Sequence, residues 1–266
     1  MPLDRELLLK TVAIAEEAGR EIMAIYATDF DVEQKADGSP LTAADMAAHR
    51  RIVAGLEALA DSCPILSEES AHEFTWEARR QWSRHWLVDP LDGTKEFVKK
   101  NGEFTVNIAL VEQHDVALGV VHVPAKGETY YAAVGVGAFK SENGEERVIT
   151  VTDPHQTPMR VAGSRSHGNA KTRRFIERLG ETRTVAIGSA LKLCLVAEGA
   201  VDIYPRFGPT AEWDTAAAQC IVEQAGGAVT DLSLAALRYN HKESLLNPCF
   251  LVFGDQSTDW RNYMDD

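Results

Sequence analysis

The chain is short of basic residues: its 266 residues carry 27 Lys and Arg against 40 Asp and Glu, a formal charge of −13. That balance excludes a general nucleic-acid coat, which needs a basic face to displace counterions from phosphate. A small phosphorylated ligand stays open, because bound cations reverse the local sign of an acidic pocket. Long apolar runs are missing as well, and none approaches the roughly 20 residues a helix needs to cross a bilayer. The N-terminus has no basic region followed by a long apolar core, so no signal peptide is expected. Cysteine is scarce: Cys63, Cys194, Cys220 and Cys249 lie far apart in apolar contexts, with no CxxC pair and no zinc-ligand spacing. They are expected to be buried thiols in a reducing compartment. A cytoplasmic protein follows, with peripheral contact on the cytoplasmic face of the inner membrane left open. Internal repeats and low-complexity tracts are absent too.

What is present reads as globular. Apolar residues make up 45% and charged residues 25%, ordinary values, and the length suits one large domain or two closely packed ones. Leu8, Val12, Ala15, Ala18, Ile22 and Ile25 form a stripe that predicts a helix over Leu7–Tyr26. Asp37-Gly38-Ser39-Pro40 predicts a loop, and Ala43–Ala60 a second helix, the two helices covering one face of a sheet. Strands are expected at Phe104–Leu110, Ala117–Val123 and Thr129–Val134, joined as an antiparallel meander. Gly135-Val136-Gly137 lacks the continuation of a nucleotide loop and reads as a turn. A boundary is expected near Thr152–Pro158. Beyond it strands (Met159–Gly163, Thr184–Ile187, Val201–Tyr204, Cys249–Phe253) alternate with helices (Asn169–Leu179, Ala190–Glu198, and one from Asp214), as in α/β layering.

The chemistry concentrates in Trp86-Leu87-Val88-Asp89-Pro90-Leu91-Asp92-Gly93-Thr94. An apolar, strand-like lead ends in two carboxylates three residues apart, hard oxygen donors of the kind Mg²⁺ prefers. Pro90 fixes φ and withholds an N–H, and Gly93 lets the backbone turn sharply beside a ligand. A helix starting at Thr94 would point free N–H groups at the same spot and attract an anion. The same residues also make a good turn and N-cap. Three further acidic sites keep this company. Glu68 and Glu69 end the apolar run Pro64–Leu66, either as a ligand beside a solvated neighbour or as a plain loop. Asp214 stands where a loop enters the Ala-rich stretch Ala216–Ala225, as a ligand or an N-cap. Asp45 lies three residues after Thr42, a capping-box spacing.

Taken in order, Glu68-Glu69-Ser70, Asp89–Thr94 and Trp213-Asp214-Thr215-Ala216-Ala217 with Glu223–Gly227 resemble the inositol monophosphatase superfamily of Mg²⁺-dependent, lithium-sensitive phosphatases. Lys95-Glu96-Phe97 through Leu110, Gly163–His167, Gly188–Cys194 and Tyr204–Thr210 are similar to its bacterial 3′(2′),5′-bisphosphate nucleotidase branch; a plain inositol phosphatase would usually show Thr-Asn-Phe after Gly93-Thr94. The resemblance implies a layered α-β-α-β-α sandwich of the sugar-phosphatase type, with an α+β part over residues 1–155 carrying most ligands and an α/β part over 156–266. It implies that Glu68, Asp89 and the Leu91 carbonyl hold one Mg²⁺ and that Asp89, Asp92 and Asp214 hold a second, with a third, weaker ion near Glu68 possible in the family. Glu68, Thr94 and Asp45 would activate water, the last two orienting it and taking its proton. Leu91, Asp92, Gly93, Thr94 and Asp214 would contact the substrate, and Gly93 and Thr94 N–H groups would grip its phosphate. Lys35 matches a mobile basic position and is equally an ordinary solvated lysine. Lys192 and Arg206 would hold the phosphate that is not cleaved, and Ser164, His167 and Ser189 would hydrogen-bond the nucleotide, although His167 also reads as a surface histidine. The implied substrate is adenosine 3′,5′-bisphosphate, with 3′-phosphoadenylyl sulfate as a second, and the chain is expected as a monomer or homodimer. An inositol or sugar phosphatase with the same metal centre is the alternative enzyme, and a non-catalytic metal- or nucleotide-binding protein is the alternative outside enzymes.

Overall fold

The computed structural model describes residues 3–28, 32–34, 40–59, 63–163 and 169–264. In chain order it forms α1 (Arg5–Tyr26), β1 (Val32–Gln34), β2 (Pro40–Thr42), α2 (Ala43–Glu57), β3 (Ile65–Ser67), α3 (Trp76–Arg79), β4 (Arg84–Asp92), α4 (Thr94–Val98), β5 (Thr105–Glu112), β6 (Asp115–Val123), β7 (Glu128–Ala133), β8 (Gly137–Glu142) and β9 (Glu145–Val148). It continues with β10 (Met159–Gly163), α5 (Ala170–Arg178), β11 (Thr182–Ala186), α6 (Leu191–Ala197), β12 (Ile203–Arg206), α7 (Ala216–Gln224), β13 (Ala228–Asp231) and β14 (Phe250–Phe253). Short 3₁₀ turns occupy Glu68–Glu73, Glu212–Asp214 and Trp260–Tyr263.

Two larger sheets organise these elements. Strands β3 to β9 form one sheet in sequence order, with β3 parallel to β4 and an antiparallel meander from β4 onward. The second has the order β11-β10-β12-β14-β13. Period-two burial sorts the side chains of the large sheet. Trp86, Val88, Val106, Ile108, Leu110, Leu118 and Val120 pack with Leu8, Ala15, Ala18 and Ile22 of α1 and Ala48, Ile52 and Leu56 of α2. Leu87, Ala109, Val111 and Val121 face the other way, toward Leu193 and Cys194 of α6 and Ala217, Cys220 and Ile221 of α7. The same cluster takes in Ala162, Tyr204, Phe250 and Val252 from the small sheet. The outer face of that sheet carries Val161, Ile203 and Leu251 under Phe175 of α5 and Trp260. Helix, sheet, helix, sheet and helix thus stack as five layers, the sandwich implied by the motifs.

Local chemistry explains the ends of elements. Asp4 caps α1, its Oδ1 accepting from Leu7 N at 2.9 Å, and Asn169 caps α5 through Thr172 N at 2.8 Å. The expected helices at Ala190–Glu198 and Asn169–Leu179 come out one residue shorter at each end, because the outer residues serve as caps. Other differences are larger. Pro40 begins β2, which pairs with β1, where a loop is expected. Helix α2 stops at Glu57 rather than Ala60. Strand β12 is Ile203–Arg206 rather than Val201–Tyr204: Val201 N instead closes the end of α6 on Leu195 O at 3.1 Å. Strands β8 and β9 continue the meander past the Gly135–Gly137 turn, in which both glycines take positive φ. Cys194 and Cys220 are buried, but Cys63 and Cys249 are only half-buried, and none of the four forms a disulfide. No described helix is long and apolar enough to cross a membrane.

Candidate active site

The metal-seeking pair lies at the end of β4, where the strand stops being regular. Asp89 pairs with Asn107 and Asp92 with Thr105, so three steps on β4 match two on β5. The extra residue is a β-bulge at Pro90-Leu91, a position where a missing N–H costs the ladder nothing. The bulge re-aims the strand end. Asp89 Oδ1 accepts from Leu91 N at 3.0 Å, and Asp92 Oδ2 accepts from Ala190 N at 2.6 Å. Gly93 then takes φ 91°, the left-handed region, and caps α4. A Cβ there would approach the Glu103 carbonyl to 3.1 Å, so glycine meets both demands. Thr94 is the first helical residue and its hydroxyl donates to Leu91 O at 3.3 Å. It is therefore not the N-cap.

Asp214 arrives from the other half of the chain. It ends the 3₁₀ turn ahead of α7 rather than capping that helix, and its Oδ2 accepts from Ala211 N at 2.9 Å. The turn is stitched to a neighbouring loop by Glu212 N→Leu245 O at 2.8 Å, Asn247 N→Thr210 O at 2.9 Å and Asn247 Nδ2→Ala211 O at 2.8 Å. Glu212, fully buried, anchors this arrangement by accepting from Asn240 N at 2.7 Å and Lys242 Nζ at 3.2 Å. Arg79 reaches the same asparagine through Nη1 and Oδ1 at 2.8 Å.

Oxygen atoms of Asp89, Asp92 and Asp214 come within 4.8 Å of one another. Glu68, at the end of β3, lines the same cavity. Such crowding has an electrostatic cost. Burial first, then the charge of Glu68, drives the Asp89 carboxyl well above its ordinary value, and burial followed by Asp92 does the same to Asp214. Asp92 is pushed up to about 6, mainly by burial, with Lys192 pulling the other way. Three converging carboxylates, with the charge of Glu68 bearing on each from the same cavity, call for a cation, and a set of hard carboxylate oxygens fits Mg²⁺. The linkage has a definite sign. These groups bind protons more tightly folded than unfolded, so without metal their contribution to stability falls as pH rises from about 4 through 6 and beyond. Adding Mg²⁺ should therefore raise the melting temperature more at pH 7.5 than at pH 5, and binding at pH 6 should release protons to a weak buffer. Equal thermal shifts at both pH values would contradict a buried acidic cation site.

The cavity, about 420 Å³, has a second wall of opposite charge. Lys192 on α6 is buried and donates to Ser189 O at 2.6 Å and Ile187 O at 3.4 Å, with its Nζ 5.4 Å from the Tyr204 ring centre. Burial draws its pKa down to about 8; Asp92 opposes that fall and Arg206 adds to it. Arg206 Nη2 donates to Pro209 O at 2.8 Å. Ser189 holds φ 47°, a conformation few non-glycine residues adopt outside functional turns.

Glu68, Asp89, Leu91, Asp92, Gly93, Thr94, Ser189, Lys192, Arg206 and Asp214 thus meet at one cavity. Asp45 is not on its lining; it is buried at 1% exposure in α2, and its charge reaches Asp89. Ser164, His167 and Lys35 lie outside the described residues. Lys95, Glu96 and Thr210, which stand in the resembling motifs without an expected site role, also line the cavity. Asn107, in the same motif as Lys95 and Glu96 and equally without an expected role, lies opposite Asp89 in register. A polar residue inside the apolar run of β5 was the available signal for Asn107. Thr210 closes the Tyr204–Thr210 motif, between Arg206 and Asp214, but nothing there marks its hydroxyl as a contact.

Comparison with known proteins agrees with this geometry. The inositol monophosphatase family model matches residues 4–253. The chain is 49% identical to the 3′(2′),5′-bisphosphate nucleotidase CysQ of Shigella flexneri over 248 residues, covering 92% of this chain and 99% of that protein. The CysQ of Haemophilus influenzae is 38% identical over 264 residues, 98% of each chain. The crystal structure of CysQ from Bacteroides thetaiotaomicron superposes with a TM-score of 0.84 at 40% identity, over 95% of this chain and 98% of that one. This chain belongs to the inositol monophosphatase family. Within it, the curated relatives it resembles carry the name of a bisphosphate nucleotidase.

Proposed function

We propose that the chain is a Mg²⁺-dependent phosphatase that removes the 3′-phosphate of adenosine 3′,5′-bisphosphate, giving AMP and phosphate, with 3′-phosphoadenylyl sulfate as a second substrate. The observation that carries the reading is one cavity with an acidic wall at Asp89, Asp92 and Asp214 and a cationic wall at Lys192 and Arg206. The acids suit a cation-assisted cleavage, and the cations suit a phosphate that stays on the product. The identity to nucleotidases over nearly the whole chain supports the substrate class.

Glu68, Asp89 and the Leu91 carbonyl would hold one Mg²⁺, and Asp89, Asp92 and Asp214 a second; a third near Glu68 stays within the proposal. Bound Mg²⁺ supplies Lewis acidity toward water and toward the phosphoryl oxygens. The chain supplies the rest. Gly93 and Thr94 present N–H groups to the phosphate being cleaved. With its hydrogen on Leu91 O, the Thr94 hydroxyl keeps lone pairs free to accept from the attacking water, and the buried negative charge of Asp45 favours departure of that water's proton. The water oxygen bonds to phosphorus while its proton passes to solvent, the ester bond to the 3′-oxygen breaks, and that oxygen takes up a proton from a solvent water. Lys192 and Arg206 keep the remaining phosphate in place, with Ser189 donating to the nucleotide.

We further read residues 1–155 and 156–266 as two halves that meet at this site, and the four cysteines, none of them in a disulfide, as suited to the cytoplasm. Either a monomer or a homodimer satisfies the reading, since all the named groups come from one chain. The test is phosphate release from adenosine 3′,5′-bisphosphate, inositol 1-phosphate and fructose 1,6-bisphosphate. Turnover of the first should lead by at least about tenfold in kcat/KM, a difference of roughly 1.4 kcal/mol. It should vanish with EDTA and return with Mg²⁺. Preference for inositol phosphate would favour the sugar-phosphatase alternative, and release insensitive to chelation would defeat the metal role.

A further inference from the structure

Three buried polar atoms at residues on the cavity wall have no hydrogen-bond partner among the described residues: Ser189 Oγ, Arg206 Nε and Thr210 Oγ1. A buried donor without a partner is costly, and native folds rarely keep one without use for it. Ser189 and Arg206 already have a use in the proposed function; Thr210 has none. Its hydroxyl does not hold its own loop together either, because backbone contacts do. Asn247 N donates to Thr210 O at 2.9 Å, Ala211 bridges Leu246, and Arg206 Nη2 fixes Pro209 O at 2.8 Å. The hydroxyl is thus carried on a stapled backbone between two residues of the site, Arg206 and Asp214, with its bonding capacity unspent.

The surroundings indicate what it would bind. Arg206 and Lys192 line the same cavity, and the positive charge of Arg206 disfavours that of Lys192. Two cations that repel across a cavity are reconciled by an anion. A hydroxyl and a guanidinium N–H four residues apart, one on the loop after β12 and the other at the end of that strand, can both donate to one phosphate, as charge-assisted bonds.

We propose that the Thr210 hydroxyl is a specificity-determining contact: together with Arg206 it donates to the phosphate that remains on the nucleotide. This rests on the nucleotidase reading above. Valine matches threonine in shape and lacks only the hydroxyl. Thr210→Val should raise KM for adenosine 3′,5′-bisphosphate roughly tenfold, with kcat changed less than about twofold. For adenosine 3′-monophosphate, which lacks the second phosphate, the change in KM should be clearly smaller. Thr210→Ser restores the donor and should recover most of the loss, and Arg206→Ala should show the same substrate dependence as Thr210→Val. Equal KM changes on the two substrates, an unchanged KM in Thr210→Val, or no recovery in Thr210→Ser would overturn the contact while leaving the nucleotidase reading intact. Failure of the wild-type chain to hydrolyse the bisphosphate in Mg²⁺ would overturn both.

Discussion

Asp92→Asn should cut kcat/KM by roughly a thousandfold or more and leave the metal-free protein more stable than the wild type. The two effects share one cause. Asp92 is one of three carboxylates whose oxygens converge within 4.8 Å, and a neutral amide is a poor ligand for Mg²⁺. Loss of several kcal/mol of charge stabilisation in the transition state corresponds to that rate factor. Burial pushes the same carboxylate up to about 6, with Lys192 opposing and Glu68 adding to the rise, and its charge in turn repels Asp89 and Asp214. Removing its charge relieves Asp89 and Asp214 while the asparagine oxygen still accepts from Ala190 N. At pH 7 this relief is on the order of 1 kcal/mol, worth about 2–4 °C in a domain of this size. Thermal unfolding in EDTA and in Mg²⁺, beside initial rates, separates the possibilities. Near-normal turnover would remove Asp92 from the site. Lost activity with lower stability in EDTA would make it a structural residue instead.

The acids were legible in the sequence because each stands at a break in a pattern. Asp89 and Asp92 end an apolar strand at a Pro and a Gly, Glu68 ends a shorter one, and Asp214 precedes an alanine run. Such breaks mark where backbone leaves the core, and function collects there. The layers were legible for the same reason, since helical stripes and strand alternation are local. What escaped depends on distance. Nothing near Glu212 announces that it is buried and bonded to Asn240 and Lys242, some thirty residues later. Thr94 suits both an N-cap and a contact to water in the sequence; Gly93 takes the cap with a left-handed φ. The bulge that turns the Asp89–Asp92 pair toward the cavity exists only in the pairing of β4 with β5. Strand β12 was displaced because Val201 closes the preceding helix, a competition between neighbours that propensity does not rank.

Gly119→Ala is expected to be the most damaging change far from the ligands. Gly119 lies in the middle of β6, between Ala109 on β5 and Ala132 on β7. This row of small residues lets α7 sink onto the sheet with its own Ala216-Ala217-Ala218 inward. A Cβ at position 119 would fall 2.1 Å from the Ala217 carbonyl oxygen, 2.8 Å from its carbon and 3.0 Å from its Cα. Those are backbone atoms and cannot rotate away, so the helix must lift. Overpacking of this kind costs about 3 kcal/mol or more, a fall of roughly 6–12 °C in melting temperature. Activity should suffer beyond the loss of folded protein, because Asp214 stands two residues ahead of Ala216, the first residue of α7. A displacement near 1 Å at a catalytic group can cost about a hundredfold in rate. Rates measured at least 15 °C below the variant's own midpoint, with Mg²⁺ titrated to saturation, isolate that part, and the Mg²⁺ concentration for half-maximal rate should rise. A variant as stable and as active as the wild type would mean that α7 does not approach the sheet this closely. Normal metal dependence in a destabilised variant would mean that Asp214 is positioned by its stitched turn alone, independently of the helix behind it.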